Sequence, residues 1–202
     1  MRYVKETFDP VNIDHAKHIV LTSDPADPDK FEKETSAFIN ILASEGIITD
    51  TSLVLDFGCG MGRISKELIN RFGCNVIGVD ISEKMKIFAM LYISNPKKFS
   101  TSDIVEPNSF DICISAFVLQ HTEHPRDEIL KIVNGLKNNG MLVLLNENVR
   151  YVPADVDMDQ HVIWHDDKFN VHSEVEKYLK KVKSIPYPPN TSLSIDLYKK
   201  DV

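Results

Sequence analysis

The 202-residue chain carries a formal net charge of -7, with 43% hydrophobic and 26% charged residues, enough apolar content for a sizeable core in one soluble domain. An acidic chain lacks the basic footprint that phosphate-backbone binding leaves, which argues against a dedicated nucleic-acid binder. Cys59, Cys74 and Cys113 have no CxxC spacing, which argues against zinc and disulfides and for a reducing compartment; the chain also has no apolar secretory leader and no apolar run of about 18 residues that could span a membrane.

The first 23 residues show no sustained period, and the Ser23–Asp29 segment reads as turn chemistry. A helix is predicted from Asp29 to Ser44, with Phe31, Thr35, Phe38 and Leu42 on one face and Gly46 as its stop. Ser52–Asp56 reads as a buried strand, because Leu53-Val54-Leu55 is a continuous apolar run of the parallel-sheet type. Arg63–Phe72 follows as a helix with Ile64, Leu68, Ile69 and Phe72 inward. Asn75–Asp80 is the second strand, and Ser82 is the expected N-cap of a helix reaching Tyr92. A short strand is expected between Phe99 and Val105, and a firm one at Phe110–Phe117. Pro125 opens a helix read as far as Asn138, with Gly140 at its exit, and Met141–Leu145 is the next strand.

Beyond residue 146 the alternation stops. The polar stretch 146–170 carries His161, Trp164 and His165, read as packing the tail or forming a substrate lid. A helix is expected over Ser173–Lys183, with Ser173 and Glu176 as a capping box. The Lys177, Lys180, Lys181 and Lys183 run is taken as its solvated face. Ser184–Tyr187 and Leu193–Tyr198 are expected to be antiparallel edge strands. The whole pattern predicts an α/β fold with a mostly parallel sheet, right-handed crossovers and helices on both faces.

The informative stretch is Val54-Leu55-Asp56-Phe57-Gly58-Cys59-Gly60-Met61-Gly62-Arg63. A strand, a glycine-rich turn and a helix in that order bring bare backbone against a nucleotide-like ligand. The dinucleotide fingerprint wants glycines at relative positions 1, 3 and 6. Counting from Gly58, the sixth position is Arg63 and the third glycine arrives early, at Gly62, which weakens a nicotinamide-cofactor reading.

Four segments, VLDFGCGMGR, VIGVDIS, FDICISAFVLQHTEHP and LKNNGMLVLL, together resemble the class I S-adenosylmethionine-dependent methyltransferases, most of all the small-molecule type-11 group. The likeness spans residues 31–150, and its specific part is the acid-x-Gly-x-Gly-x-Gly run with a second acid, Asp80, 24 residues after Asp56. It implies a Rossmann-like fold and S-adenosylmethionine as cofactor, leaving S-adenosylhomocysteine as product. In the family's pattern Asp80 takes the ribose hydroxyls and Asp56 the ligand ammonium. Gly58, Cys59, Gly60, Gly62 and Arg63 form the turn against the methionine moiety, Ile81 follows the ribose acid, and backbone at Ala116 and Phe117 meets the same moiety. Asp103 is the best candidate for reading adenine, although it stands only eight residues before Asp111, so that loop is short. Asn138-Asn139 replaces the proline that commonly precedes the glycine there.

His121, just after the fourth strand, stands at the carboxyl edge where such sheets bind ligands, and is the candidate substrate contact and general base. Cys59 is read as a small turn residue and Asp111 as structural. The expected layout is one domain over 1–202: residues 1–30 a lid or arm, 31–150 the cofactor core, 151–202 a short substrate section. The expected activity is methyl transfer to an O, N, S or C nucleophile of a small molecule, in the cytoplasm, with no metal. The alternatives are a non-catalytic binding module that keeps this fold and, behind it, a nicotinamide-dependent oxidoreductase. The acceptor and the oligomeric state cannot be read from the sequence.

Overall fold

The computed structural model describes residues 3–21, 26–153, 161–163, 168–187 and 192–201. The chain divides into two compact units, Phe8–Ile104 and Met1–Thr7 with Val105–Val202.

The Phe8–Ile104 unit contains α1 (Ile13–Val20), α2 (Lys30–Glu45), β1 (Leu53–Phe57), α3 (Arg63–Phe72), β2 (Asn75–Val79), α4 (Glu83–Ile93) and β3 (Phe99–Thr101). β1 pairs in parallel with β2, Leu53 facing Asn75 and Phe57 facing Val79, and β2 pairs in parallel with β3. Val54 and Leu55 are both 0% exposed, so β1 is buried on both faces, as its unbroken apolar run requires. Helix α3 has the bounds read from its period, and Ser82 caps α4 by accepting from the Met85 N–H at 3.2 Å.

Helix α1 is the first departure from the sequence reading. Asn12 caps it through its side chain, but Ala16 alone is fully buried. One buried position in eight residues leaves too little apolar period to see in the sequence.

The second unit contains β4 (Phe110–Ala116), α5 (Pro125–Gly135), β5 (Leu136–Leu145), β6 (Tyr151–Pro153), β7 (His161–Ile163), α6 (Val171–Val175), β8 (Lys180–Pro186) and β9 (Ser194–Lys199). β4 and β5 are parallel, β9 runs antiparallel to β5, and β8 antiparallel to β9. A short antiparallel pair, β6 and β7, stands within the polar stretch after residue 146. Within the first unit the strand order is β3-β2-β1, all parallel; within the second it is β4-β5-β9-β8, with β4 and β5 parallel and the other pairs antiparallel.

Helix α5 stops at Gly135 instead of Asn138, because the carbonyls of Asn134 and Gly135 accept from the N–H groups of Asn108 and Ser109, both at 2.8 Å. The chain turns extended at Leu136, which pairs with Phe110 across a register shift. The expected helix over Ser173–Lys183 is also corrected. Asn170, not Ser173, provides the cap, accepting from the Ser173 N–H at 2.8 Å, and the helix ends at Val175. Lys180, Lys181 and Lys183 stand on β8, not on a helix face. Charged residues on an exposed edge strand oppose pairing with another chain.

Candidate active site

At the end of β1 the chain hooks over β2. The N–H groups of Gly58 and Cys59 both donate to the Val79 carbonyl, at 2.8 and 2.9 Å, and the Gly62 N–H returns to the Cys59 carbonyl at 2.9 Å. Gly58, Gly60 and Gly62 all have positive φ, at 74°, 53° and 84°, conformations that disfavour a side chain. Space adds to the requirement. A Cβ on Gly62 would lie 2.7 Å from Ile93 Cδ1, and one on Gly60 would run into Val20 Cγ1. The third glycine therefore lets α3 approach α4, and the second lets α1 lie over the turn. Ala16, Met61 and Met85 are buried together there, with Ile19, Val20, Phe31, Phe88 and Tyr92 packed around them.

Asp80 closes the turn. Its two carboxylate oxygens accept from the N–H groups of Gly60 at 2.8 Å and Ser82 at 2.9 Å. Burial raises its pKa against the pull of those two donors and of Lys86, and Asp9 adds to the rise. Asp9 reaches the same place, accepting from Ser82 Oγ at 2.6 Å.

Asp56 is buried beneath the turn at 3% exposure and accepts from Ser65 Oγ at 2.5 Å. Burial pushes its carboxyl up to about 6 against the Ser65 hydrogen bond and the Arg63 charge. Arg63 itself turns to α2, donating to Thr35 Oγ1 at 3.0 Å with its guanidinium 5.7 Å from the Phe31 ring centre. The Cys59 thiol is buried and held well above its usual range, by burial first and then by Asp56 and Asp80. Ile81 is 54% exposed. Asp103 is exposed and pairs with Lys86, which holds its carboxyl below the usual range. Lys86 was not singled out from the sequence: its side chain is only 6% exposed and also meets Glu83 Oε1 at 2.5 Å. Burial pulls its ammonium down, and the hydrogen bonds to Asp103 and Glu83 outweigh that, leaving it raised.

The second unit holds the other expected residues. Ala116 ends β4. Phe117 has φ of 59°, donates its N–H to Leu145 O at 2.7 Å, and packs edge-on to Tyr187 at 6.3 Å between ring centres. A non-glycine residue in that region is strained and needs its surroundings to hold it. His121 Nδ1 stands 2.6 Å from the Tyr151 carbonyl, and its Nε2 3.3 Å from Gln120 Nε2. Asn146, just past β5, was missed by the sequence reading: its Oδ1 accepts from the Gln120 N–H at 3.2 Å. Asp111 meets Lys137 at 2.7 Å. Trp164 and His165 lie outside the described residues, as does the side chain of His161.

A family model described as "Methyltransferase domain" matches residues 55–144. The carboxy-S-adenosyl-L-methionine synthase of Aliivibrio salmonicida (strain LFI1238) is 30% identical over 169 residues, covering 74% of this chain and 69% of that protein. The mitochondrial ubiquinone biosynthesis O-methyltransferase of Schizosaccharomyces pombe is 30% identical over 161 residues, covering 67% of this chain and 58% of that one. Among solved structures, the N-methyltransferase NodS from Bradyrhizobium japonicum WM9, in complex with S-adenosyl-L-homocysteine, superposes with a TM-score of 0.60 at 14% identity, covering 90% of each chain. At that identity the likeness speaks to the fold alone.

Proposed function

This chain belongs to the class I S-adenosylmethionine-dependent methyltransferase family, and from that premise we propose that it methylates a small molecule bearing a protonated nucleophile, with Asp80 as the anchor of its cofactor and His121 as its base. The observation that carries the reading is the fixed carboxylate of Asp80, held at both oxygens by backbone N–H groups of the glycine turn and of α4. Each oxygen keeps a second lone pair, and a ribose diol brings two hydroxyl donors. The glycine turn offers its backbone to the methionine end. These acceptors and the bare backbone therefore fit S-adenosylmethionine.

When bound, that cofactor supplies an electrophilic sulfonium methyl for in-line displacement. The chain's residues align and hold. Asp56 pairs with the ligand ammonium, and Asp103, fixed by Lys86, accepts from the adenine amino group. Ile81 offers an exposed apolar side chain to the adenine face. Cys59 and Arg63 contribute backbone only, since the thiol is buried and the guanidinium is engaged with α2. By the family's pattern, the backbone of Ala116 and Phe117 meets the methionine moiety. His121 takes the proton of the nucleophile. Near-attack alignment contributes on the order of 7–11 kcal/mol to such a displacement, and a base adds to it where the nucleophile is protonated.

We read residues 1–30 as a lid or arm; for the part from Phe8 to Leu21, within the first unit, Val20 over Gly60 and the Asp9–Ser82 bond support that role. No helix among the described residues is long and apolar enough to cross a membrane, and the acidic chain suits a small-molecule acceptor in the cytoplasm. The carboxy-S-adenosyl-L-methionine synthase likeness supports a second reading, in which the cofactor is itself modified. Mass spectrometry of the cofactor after turnover separates the two, because only the second leaves it heavier by a carboxyl group.

The test is calorimetric binding of S-adenosylhomocysteine to the wild type and to Asp80→Ala, followed by a labelled-methyl screen of metabolite extracts. Two charge-assisted hydrogen bonds are worth about 1.5–3 kcal/mol each, so the variant should lose roughly 100-fold or more in affinity. Undiminished binding by a folded Asp80→Ala would end the assignment.

A further inference from the structure

The turn after β4 carries a chain of hydrogen bonds whose directions are all fixed. The Tyr151 carbonyl can only accept, so His121 Nδ1, at 2.6 Å, carries the proton. The Glu147 N–H can only donate, so the Gln120 group facing it at 2.8 Å is the amide oxygen. That sets the amide the other way round toward His121: Gln120 Nε2, a donor only, faces His121 Nε2 at 3.3 Å, and the ring nitrogen there must offer its lone pair. Gln120 is itself fixed. It is 3% exposed, and its N–H donates to Asn146 Oδ1 at 3.2 Å while Asn146 Nδ2 donates to Glu147 O at 2.7 Å.

We propose that Gln120 is a positioning residue. Anchored by Asn146 and Glu147, it holds His121 in the tautomer with hydrogen on Nδ1, and presents Nε2 as a proton acceptor. The proposal rests, for its catalytic meaning, on His121 as the base. It narrows the acceptor to molecules that bring a dissociable proton, such as a hydroxyl, phenol or thiol. Such a group replaces the Gln120 amide at Nε2, a bond that at 3.3 Å is longer than the usual 2.9–3.0 Å and so is readily exchanged. A nucleophile with no proton to give finds no partner there. Once Nε2 is protonated, the Gln120 amide donor faces another donor, so His121 is driven to pass its proton on.

Gln120→Glu reverses the relay. A carboxylate still accepts from the Glu147 N–H, but it now faces Nε2 as an acceptor and favours the doubly protonated ring. Gln120→Leu removes the opposing donor. The other titratable and charged groups near the turn are the same in every variant: Arg150, which donates to the Thr122 and Glu123 carbonyls, the Glu123–His124 pair, His172, which meets the Asn146 carbonyl and Asp196, and Glu147. Long-range proton–nitrogen NMR of the His121 imidazole across a pH titration reads the outcome without any acceptor. The expected result is a pyrrole-type Nδ1 and a pyridine-type Nε2 in the wild type, with His121 titrating at least one pH unit higher in Gln120→Glu and shifted the same way, by less, in Gln120→Leu. All three should keep S-adenosylhomocysteine affinity within about twofold, which separates this test from that of the cofactor assignment. Hydrogen on Nε2 in the wild type, or His121 titrations that coincide in all three proteins, would overturn the proposal.

Discussion

Burial and charge conflict at Asp56, and replacing it by asparagine isolates that conflict. The carboxyl is 3% exposed, and burial raises its pKa from 3.8 to about 6, with Ser65 and Arg63 opposing the rise and Asp80 adding to it. A carboxyl whose folded pKa exceeds its unfolded value favours the fold only while protonated. That contribution is complete below the unfolded value and is lost as pH rises through the folded one. A gap of roughly two pH units corresponds to about 3 kcal/mol. The substituted amide would keep an acceptor for Ser65 Oγ and would not ionise. Asp56→Asn should therefore raise the unfolding free energy by about 2–3 kcal/mol near pH 8, and that advantage should fade toward pH 4. Urea denaturation at both pH values, with the slope checked for constancy, measures it. An advantage of equal size at the two pH values, or a loss at the higher one, would refute the reasoning. The same variant should bind S-adenosylhomocysteine more weakly at neutral pH, because the ionised carboxylate that burdens the free protein is the group proposed to meet the ligand ammonium.

Gly60→Ala combines a left-handed backbone, about 1–2 kcal/mol for a residue with a Cβ, with the clash on Val20, about 1–3 kcal/mol. In a double-mutant cycle Val20→Ala should recover the second part only, and additive losses would remove Val20 from the account. Asp103→Ala should abolish any preference for S-adenosylhomocysteine over its inosine counterpart. Lys86→Met should weaken that preference by about tenfold, corresponding to about 1.4 kcal/mol, by freeing Asp103; equal discrimination in all three proteins would move the adenine contact elsewhere.

The first half of the fold was legible because its signals are local. The apolar run of β1, the period of α3 and the Ser82 cap each depend on a few neighbouring residues, and the structure returns them nearly unchanged. The readings that failed turned on distant partners. α5 ends three residues early because Asn108 and Ser109 take its last carbonyls. Lys180–Pro186 is a strand because β9 lies beside it, although its lysines and the preceding glutamates suit an exposed helix. α1 buries one residue, and what holds it is the space left by Gly60.

The site divides in the same way. The sequence by itself determined the glycine turn, the acid after β2 and the family, because a ligand held by backbone requires glycine at fixed spacing and a carboxylate at a strand end. Only the tertiary structure decided where the polar side chains point. It turned Arg63 to Thr35 and Phe31, set Asp56 on Ser65, brought Lys86 against Asp103, and ran the chain from Asn146 through Gln120 to His121. Hydrogen-bond direction depends on which donor meets which acceptor in space, and residues 26 apart in sequence, as Gln120 and Asn146 are, carry no mark of that meeting in their order along the chain.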